Sequence, residues 1–421
     1  MLGRIYCPSV YGKLRSALKP KQRLISTSFQ YVILDQCKDE SYREAAEKIN
    51  LHYNRTGKQA MKFRTVADQV EVAGAEINEY ISDLASQALA NHDFNPETGL
   101  PLEEAALPDS FVHPKPEGED ELRKHHLQSV KKAVKKINSE RSENNRIETK
   151  AAQLAKEAEV DYRNCVYICI DDVGVKHQKE KRKGSHPKQS KTVQTTDINI
   201  EYQGRKYSIA NVGMAEAFRR LNAFLLKNDL IANKHLIFMT DGATDIRKAI
   251  ETYFPYLNAE KSIILDWFHL KKHCYETMSM AIRGNKDYKH AVQAEFNRLI
   301  WIGDIDKAIQ YLEQIDKDHI KNQYKMTETI DYLKRKKPFV RCYALRAELG
   351  LPNSSNPVEK DNDLNVAARQ KHNGMAWSYE GSGALSKITV TFRNGEMKEW
   401  LRNRTIPFTM PACISAVTMM A

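Results

Sequence analysis

Three short apolar runs, each closing on an aspartate, do most to limit what this chain can fold into. Val166-Tyr-Ile-Cys-Ile170 runs into Asp171-Asp172, His235-Leu-Ile-Phe-Met-Thr240 into Asp241-Gly242, and Ser262-Ile-Ile-Leu265 into Asp266. Apolar runs this short have the length of buried strands. Two further β-rich runs, Thr192 to Tyr202 and Lys206 to Val212, are joined by Gln203-Gly204, a hairpin signal. Helical patterns occupy Ala215 to Leu226 and the stretch from Gly242 to Tyr253. Hairpin strands followed by alternating helix and strand predict a mixed α/β sheet. From about Trp267 to Leu349 the period is helical with no clear strand, which predicts a large helical insertion into that sheet.

The upstream part reads as helical. Leu24 to Cys37 carries a mixed apolar pattern. Ser41-Tyr-Arg-Glu44 is a capping box opening a short helix, Glu44 to Ile49. Thr65, with Asp68 three residues on, predicts the start of a second helix, whose stripe is Val66, Val70, Ala73, Ile77, Ile81 and Leu84. Two capped helices with a basic connection suit a helix-turn-helix-like unit or an ordinary helical hairpin. Pro96, Pro101, Pro108, Pro114 and Pro116 mark a linker or wrapped loop. A charged helix is predicted from about Glu119 to Glu159, with Leu122, Leu127, Val130, Val134 and Ile137 on its apolar face. That face suits either dimerisation or docking on the same chain. The expected organisation is a helical DNA-binding region (1–92), a linker with the charged helix (93–160), a sheet-bearing core (161–266 and 350–395), the insertion (267–349) and a tail (396–421).

A net charge of +11 over 421 residues favours a polyanionic partner, of which nucleic acid is the commonest, and is silent about fold. The seven cysteines form no CxxC pair, and Cys165 and Cys169 fall in an apparent strand, so they read as buried thiols rather than zinc ligands. A reducing compartment fits that usage. No apolar run reaches the length of a membrane span, so no membrane partner is expected.

Acidic groups at the ends of adjacent strands suit Mg²⁺, a hard cation that takes a few carboxylates and keeps water or substrate phosphate on its other positions. Two such ions about 3.5–4 Å apart clamp the attacking and leaving oxygens of a phosphodiester. Asp171 and Asp241 each end a strand-like run, with Asp172 as a rival for the first position. The third ligand would be Glu359, in Asn356-Pro-Val-Glu359, where Asn356 suits the N-cap and Pro357 the first helical position. Taken singly, Asp241-Gly242 is an ordinary turn and Glu359 an ordinary capping residue; the combination is what points to a metal site. Lys181, Arg182 and Lys183 lie in a basic tract after the first run, read either as a solvated loop or as a phosphate-neutralising tract. Lys58, Lys62 and Arg64 are candidate phosphate contacts. Trp377 and Tyr379 suit base stacking or core packing.

Ile170-Asp171-Asp172-Val-Gly-Val, Thr240-Asp241-Gly-Ala, Leu265-Asp266-Trp-Phe-His269-Leu, Pro357-Val-Glu359 and Gly374-Met-Ala-Trp377-Ser-x-x-Gly381 occur in the order found in bacterial insertion-sequence DDE transposases. The chain resembles the Kra and Lre types, related to the eukaryotic Mutator group, over about Val166 to Leu385. The resemblance implies a ribonuclease-H-like fold and Mg²⁺-dependent (alternatively Mn²⁺-dependent) DNA strand cleavage and strand transfer at terminal inverted repeats. It matches Asp171, Asp241 and Glu359 to the catalytic positions, and Asp266 and His269 to a motif that holds DNA or orders the site. It further implies double-stranded DNA partners (element ends and target), a dimer or higher assembly on DNA, and a cytoplasmic, nucleoid-associated location. Relatives often carry N-terminal cysteine pairs; here only Cys7 lies there, so no zinc is expected. The alternatives are a ribonuclease-H-like nuclease and a non-catalytic DNA-binding regulator derived from a transposase.

Overall fold

The computed structural model describes residues 25–102, 119–139, 165–178, 191–232, 234–257, 261–354, 363–371 and 375–412. The first three helices are α1 (Thr27–Asp39), α2 (Tyr42–His52) and α3 (Phe63–Ala90). The capping box opens α2: Ser41 Oγ accepts from the Glu44 amide at 3.2 Å, and Glu44 Oε2 accepts from the Ser41 amide at 3.0 Å. Helix α3 starts earlier than its sequence predicts. Lys62 sits at its N-cap with no side-chain cap bond, and Thr65 lies inside the first turn. The start is set by a tertiary anchor instead. The Met61 amide donates to Asn50 Oδ1 at 2.6 Å, and Asn50 Nδ2 donates to Met61 O at 2.9 Å.

Helix α4 (Glu119–Ser139) docks on its own chain. Its Val130, Val134 and Ile137 pack with Ile302, Cys342 and Leu345, and Lys136 pairs with Glu348 at 2.7 Å. Then come β1 (Cys165–Lys176), β2 (Thr192–Tyr202), β3 (Arg205–Val212), α5 (Met214–Lys227), β4 (His235–Thr240), α6 (Thr244–Tyr253) and β5 (Lys261–Leu265). Among the described residues the strands form one five-stranded mixed sheet in the order β3-β2-β1-β4-β5. β1 is antiparallel to β2 and parallel to β4; β2 is antiparallel to β3, and β4 parallel to β5. The β2–β3 turn has positive φ at both Gln203 (51°) and Gly204 (73°), the twist-compatible hairpin geometry.

The insertion holds α7 (Trp267–Ala281), α8 (Lys286–Trp301), α9 (Ile305–Glu313), α10 (Gln323–Lys336) and α11 (Tyr343–Glu348). It has an apolar cluster of its own, including Leu270, Phe296, Leu299, Leu312, Leu333 and Tyr343. The chain returns through a π-helical segment (Asp363–Ala367) that runs into an α turn (Ala368–Gln370), then α12 (Tyr379–Arg393) and α13 (Met397–Asn403).

Helices α1–α3 share a core with the sheet. One apolar cluster runs from Ile33 and Ala45 through Val70 and Ile77 to Phe218, Phe224, Phe238 and Leu385. Gly74 lets α3 approach α12 closely: a Cβ there would stand 2.5 Å from Ala384 Cα. The buried Arg219 and Arg220 of α5 add a polar tie. Arg219 reaches Ser82 Oγ at 2.7 Å and Pro96 O at 2.9 Å, and Arg220 reaches Asn78 Oδ1 at 2.8 Å. Both pair with Glu216. Burial alone would raise the Glu216 carboxyl, but the two guanidinium groups outweigh it and hold it down at about 2.

Candidate active site

β1 does not end where its apolar run ends. It continues through Asp171 and Asp172 to Lys176, because β2 pairs with it over that whole length. What ends near Ile170 is the pairing with β4, whose last partners are Ile170 and Thr240. Beyond Thr240 the chain turns at Gly242, with φ at 89°. Asp171 and Asp241 therefore follow register partners on two parallel strands. β4 and β5 end likewise on the partners Thr240 and Leu265, and Asp266 comes next. On the other side Asp197 of β2 is the register partner of Asp171. A row of aspartates, Asp197, Asp171, Asp241 and Asp266, thus crosses four adjacent strands at one level.

The members of the row differ in surroundings. Asp197 is fully buried, and its Oδ2 accepts from Asn365 Nδ2 at 2.8 Å. Asp171 is half-buried. Asp241 Oδ1 accepts from the Ala243 amide at 2.7 Å, which fixes the turn into α6. Asp266 is fully buried and caps α7, with its Oδ1 2.7 Å from the His269 amide and 3.2 Å from His269 Nδ1. His269 is held by that contact, with about a third of its side chain (30%) exposed.

Strand alternation separates the two candidates for the first position. Asp171 shares a face with its partner Asp197, whereas Asp172 points to the other face and accepts from Thr196 Oγ1 at 2.5 Å. Asp172 keeps an exposed edge, yet burial of its carboxyl pushes its pKa up. The Thr196 hydroxyl opposes that rise, and the charges of Asp171, Asp241 and Asp245 add to it. The carboxylates here are close enough to repel one another, which a bound cation would relieve.

Glu359 lies outside the described residues, as do Lys181, Arg182 and Lys183. The described part of the Glu359 segment begins at Asp363 and is anchored on the row through Asn365 and Asp197. π-Helical turns such as this one are rare and frequently stand at functional sites. Among the described residues, no group of three or more His, Cys, Asp or Glu side chains is placed to hold a metal ion. The donors that are present, carboxylate oxygens at strand ends, fit a hard divalent cation.

In the Gly-Met-x-Trp segment, whose Gly374 lies outside the described residues, Trp377 has a structural role. Trp377 is 7% exposed, so of its two expected roles the structure shows core packing. Its Nε1 donates to Gln370 O at 3.0 Å, and its amide donates to Lys176 O at 2.9 Å. Trp377 O accepts from the Gln178 amide at 2.8 Å. The residue clamps the end of β1 to the α turn that follows the π-helical segment. Arg369 stacks over both Trp377 and Tyr42, 5.2 and 5.1 Å from the ring centroids, which carries the clamp to α2. Tyr379 remains 45% exposed. Lys58, Lys62 and Arg64 are exposed around the start of α3.

Three contributors were missed in the sequence. Asp197 and Asn365 appear only through register and long-range packing. The third, Lys336 at the end of α10, donates to the carbonyl of Gly242, the residue after Asp241. A cationic last turn of α10, Lys334-Arg335-Lys336, was the available signal.

Comparisons with protein-family models, with curated proteins and with solved structures find no match to this chain. No helix among the described residues is long and apolar enough to cross a membrane.

Proposed function

We propose that the chain is a DDE transposase on a ribonuclease-H-like sheet, cutting DNA at the ends of a mobile element and joining those ends to target DNA. The single observation that carries this reading is the register that brings Asp171 and Asp241 to one level of two parallel strands. The five-stranded mixed sheet with its helical insertion is compatible with that fold. The bond from Asn365, six residues after Glu359 in sequence, to Asp197 of the same row supports a third carboxylate there.

In this reading Asp171, Asp241 and Glu359 hold Mg²⁺ (or Mn²⁺), which when bound supplies Lewis-acid stabilisation of the reacting phosphate. Asp171 is the first ligand in this reading, because it shares a face with its register partner Asp197 and follows the last β1–β4 pair. Asp172 acts from the other face through its bond to Thr196. Asn365 and Trp377 anchor the described residues that follow Glu359 in sequence, and Asp266 with His269 fixes the start of the insertion beside the row. In cleavage, water attacks phosphorus, one P–O bond forms, another breaks, and a 3′-hydroxyl leaves. In transfer that hydroxyl attacks a target phosphodiester and releases a new 3′-hydroxyl. Bonds formed equal bonds broken, so no energy source is required. Two element ends must be held together, so the active form is a dimer or larger assembly on DNA.

Product mapping tests the reading. Duplex carrying the terminal repeat of the source element is incubated with the protein, Mg²⁺ and a target plasmid. Joined products are expected. Cleavage without joining would favour a nuclease, and binding without cleavage a regulator.

A further inference from the structure

The row of aspartates is a poor place for a nucleic acid to approach unaided. A phosphodiester carries a negative charge and meets several carboxylates there, so cations must stand close by. The described structure holds such a group, and it comes from the insertion. Helix α10 ends at the row, and Lys336 Nζ donates to Gly242 O. That bond uses one of three ammonium donors. Arg335, and Arg247 on α6, are near enough to affect the same ammonium. Burial lowers the Lys336 pKa, Asp241 opposes the shift, and Arg335 and Arg247 add to it. Arg247 pairs with Glu251 at 3.1 Å. Cations gathered beside Asp241 suit a ligand that bears oxygens for both a cation and a bound metal.

We propose that Lys336, with Arg335 and Arg247 beside it, binds the phosphate of the nucleic-acid strand that lies against Asp241. This rests on the reading of the row as a phosphoryl-transfer site and names the group that brings the substrate to it. The backbone tether to Gly242 ties the height of the ammonium to the turn that carries Asp241. The insertion then has a defined task, since its helix α10 delivers a cation to a point 94 residues away in sequence.

The test is equilibrium binding of the full chain to duplex DNA over a range of salt concentrations, for the parent, Lys336→Gln and Lys336→Arg, with strand cleavage and thermal melting measured alongside. Each phosphate contact contributes about 0.9 to the slope of log K against log salt. Lys336→Gln is expected to bind more weakly on every sequence and to show a slope shallower by about one. Its cleavage falls, and Lys336→Arg restores both slope and cleavage. An unchanged slope and affinity in Lys336→Gln would overturn the proposal, even with a lowered melting temperature, since Lys336 would then be only a tether for the Gly242 turn. A parent with salt-dependent binding and no cleavage would overturn the enzyme reading and leave the phosphate contact standing. A parent that binds no DNA overturns both.

Discussion

Asp171 and Asp241 stand one residue beyond the register partners Ile170 and Thr240, so two parallel strands bring the two residues to one level. The adjacent Asp172 is not equivalent, because alternation turns it to the other face and onto Thr196. Asp171→Asn is therefore expected to lower strand cleavage by about 100-fold or more, the scale of losing one preorganised electrostatic group. Asp172→Asn should cost far less. Single-turnover cleavage of end-labelled duplex measures both, and equal losses would contradict the face assignment.

Carboxylates that repel one another in the folded state should be relieved by a divalent cation. Saturating Mg²⁺ is expected to raise the melting temperature of the parent, with about 2.7 kcal/mol gained at a hundred times the dissociation constant. In Asp241→Asn that gain should largely vanish. Differential scanning calorimetry with and without Mg²⁺ reads it directly.

Glu396 is buried against the Tyr207 hydroxyl, at 3.1 and 3.2 Å, and the Phe408 amide, at 3.2 Å. Burial pushes its carboxyl up to about 7, against the opposing pull of those hydrogen bonds. The folded state thus keeps a proton that the unfolded chain releases near 4.5. The stability from this group is full below about pH 4.5 and is lost as pH rises through about 7. Glu396→Gln keeps the acceptor and removes the titration. It should flatten stability across that window and gain on the order of 2–3 kcal/mol above it. Urea midpoints at pH 5 and pH 8 compare the two proteins.

Trp377 should behave as a clamp. Trp377→Ala removes a buried aromatic and is expected to cost about 3–5 kcal/mol of stability. DNA affinity per folded molecule should stay unchanged. A selective loss of DNA binding with unaltered melting would instead indicate base stacking.

Strands β2 to β5 and the hairpin were legible because short apolar runs end on Asp, Gly or a turn pair. The true length of β1 was not, since Asp171 and Asp172 interrupt the apolar pattern while the backbone goes on pairing with β2. Side-chain polarity marks which residues are wet, not where a ladder stops. The start of α3 was misplaced for a similar reason: the Asn50–Met61 bonds override a local cap. Asp171 and Asp241 were visible as run endings, but their shared level is a property of register, which no single strand reveals. Asp197 sits inside a hairpin strand and Lys336 in a distant helix, so neither carries a local mark of the site. The Gly-Met-x-Trp segment stood out in the sequence, and only its bonds to Lys176 and Gln370 show what it does.

The most direct measurement is Mg²⁺-dependent strand cleavage of duplex carrying the terminal repeat, with parent and Asp241→Asn compared at matched occupancy of the DNA. The parent should cut and join, while Asp241→Asn binds the same duplex and yields no product. Equal product from both proteins would contradict the assignment of the aspartate row as the site of phosphoryl transfer.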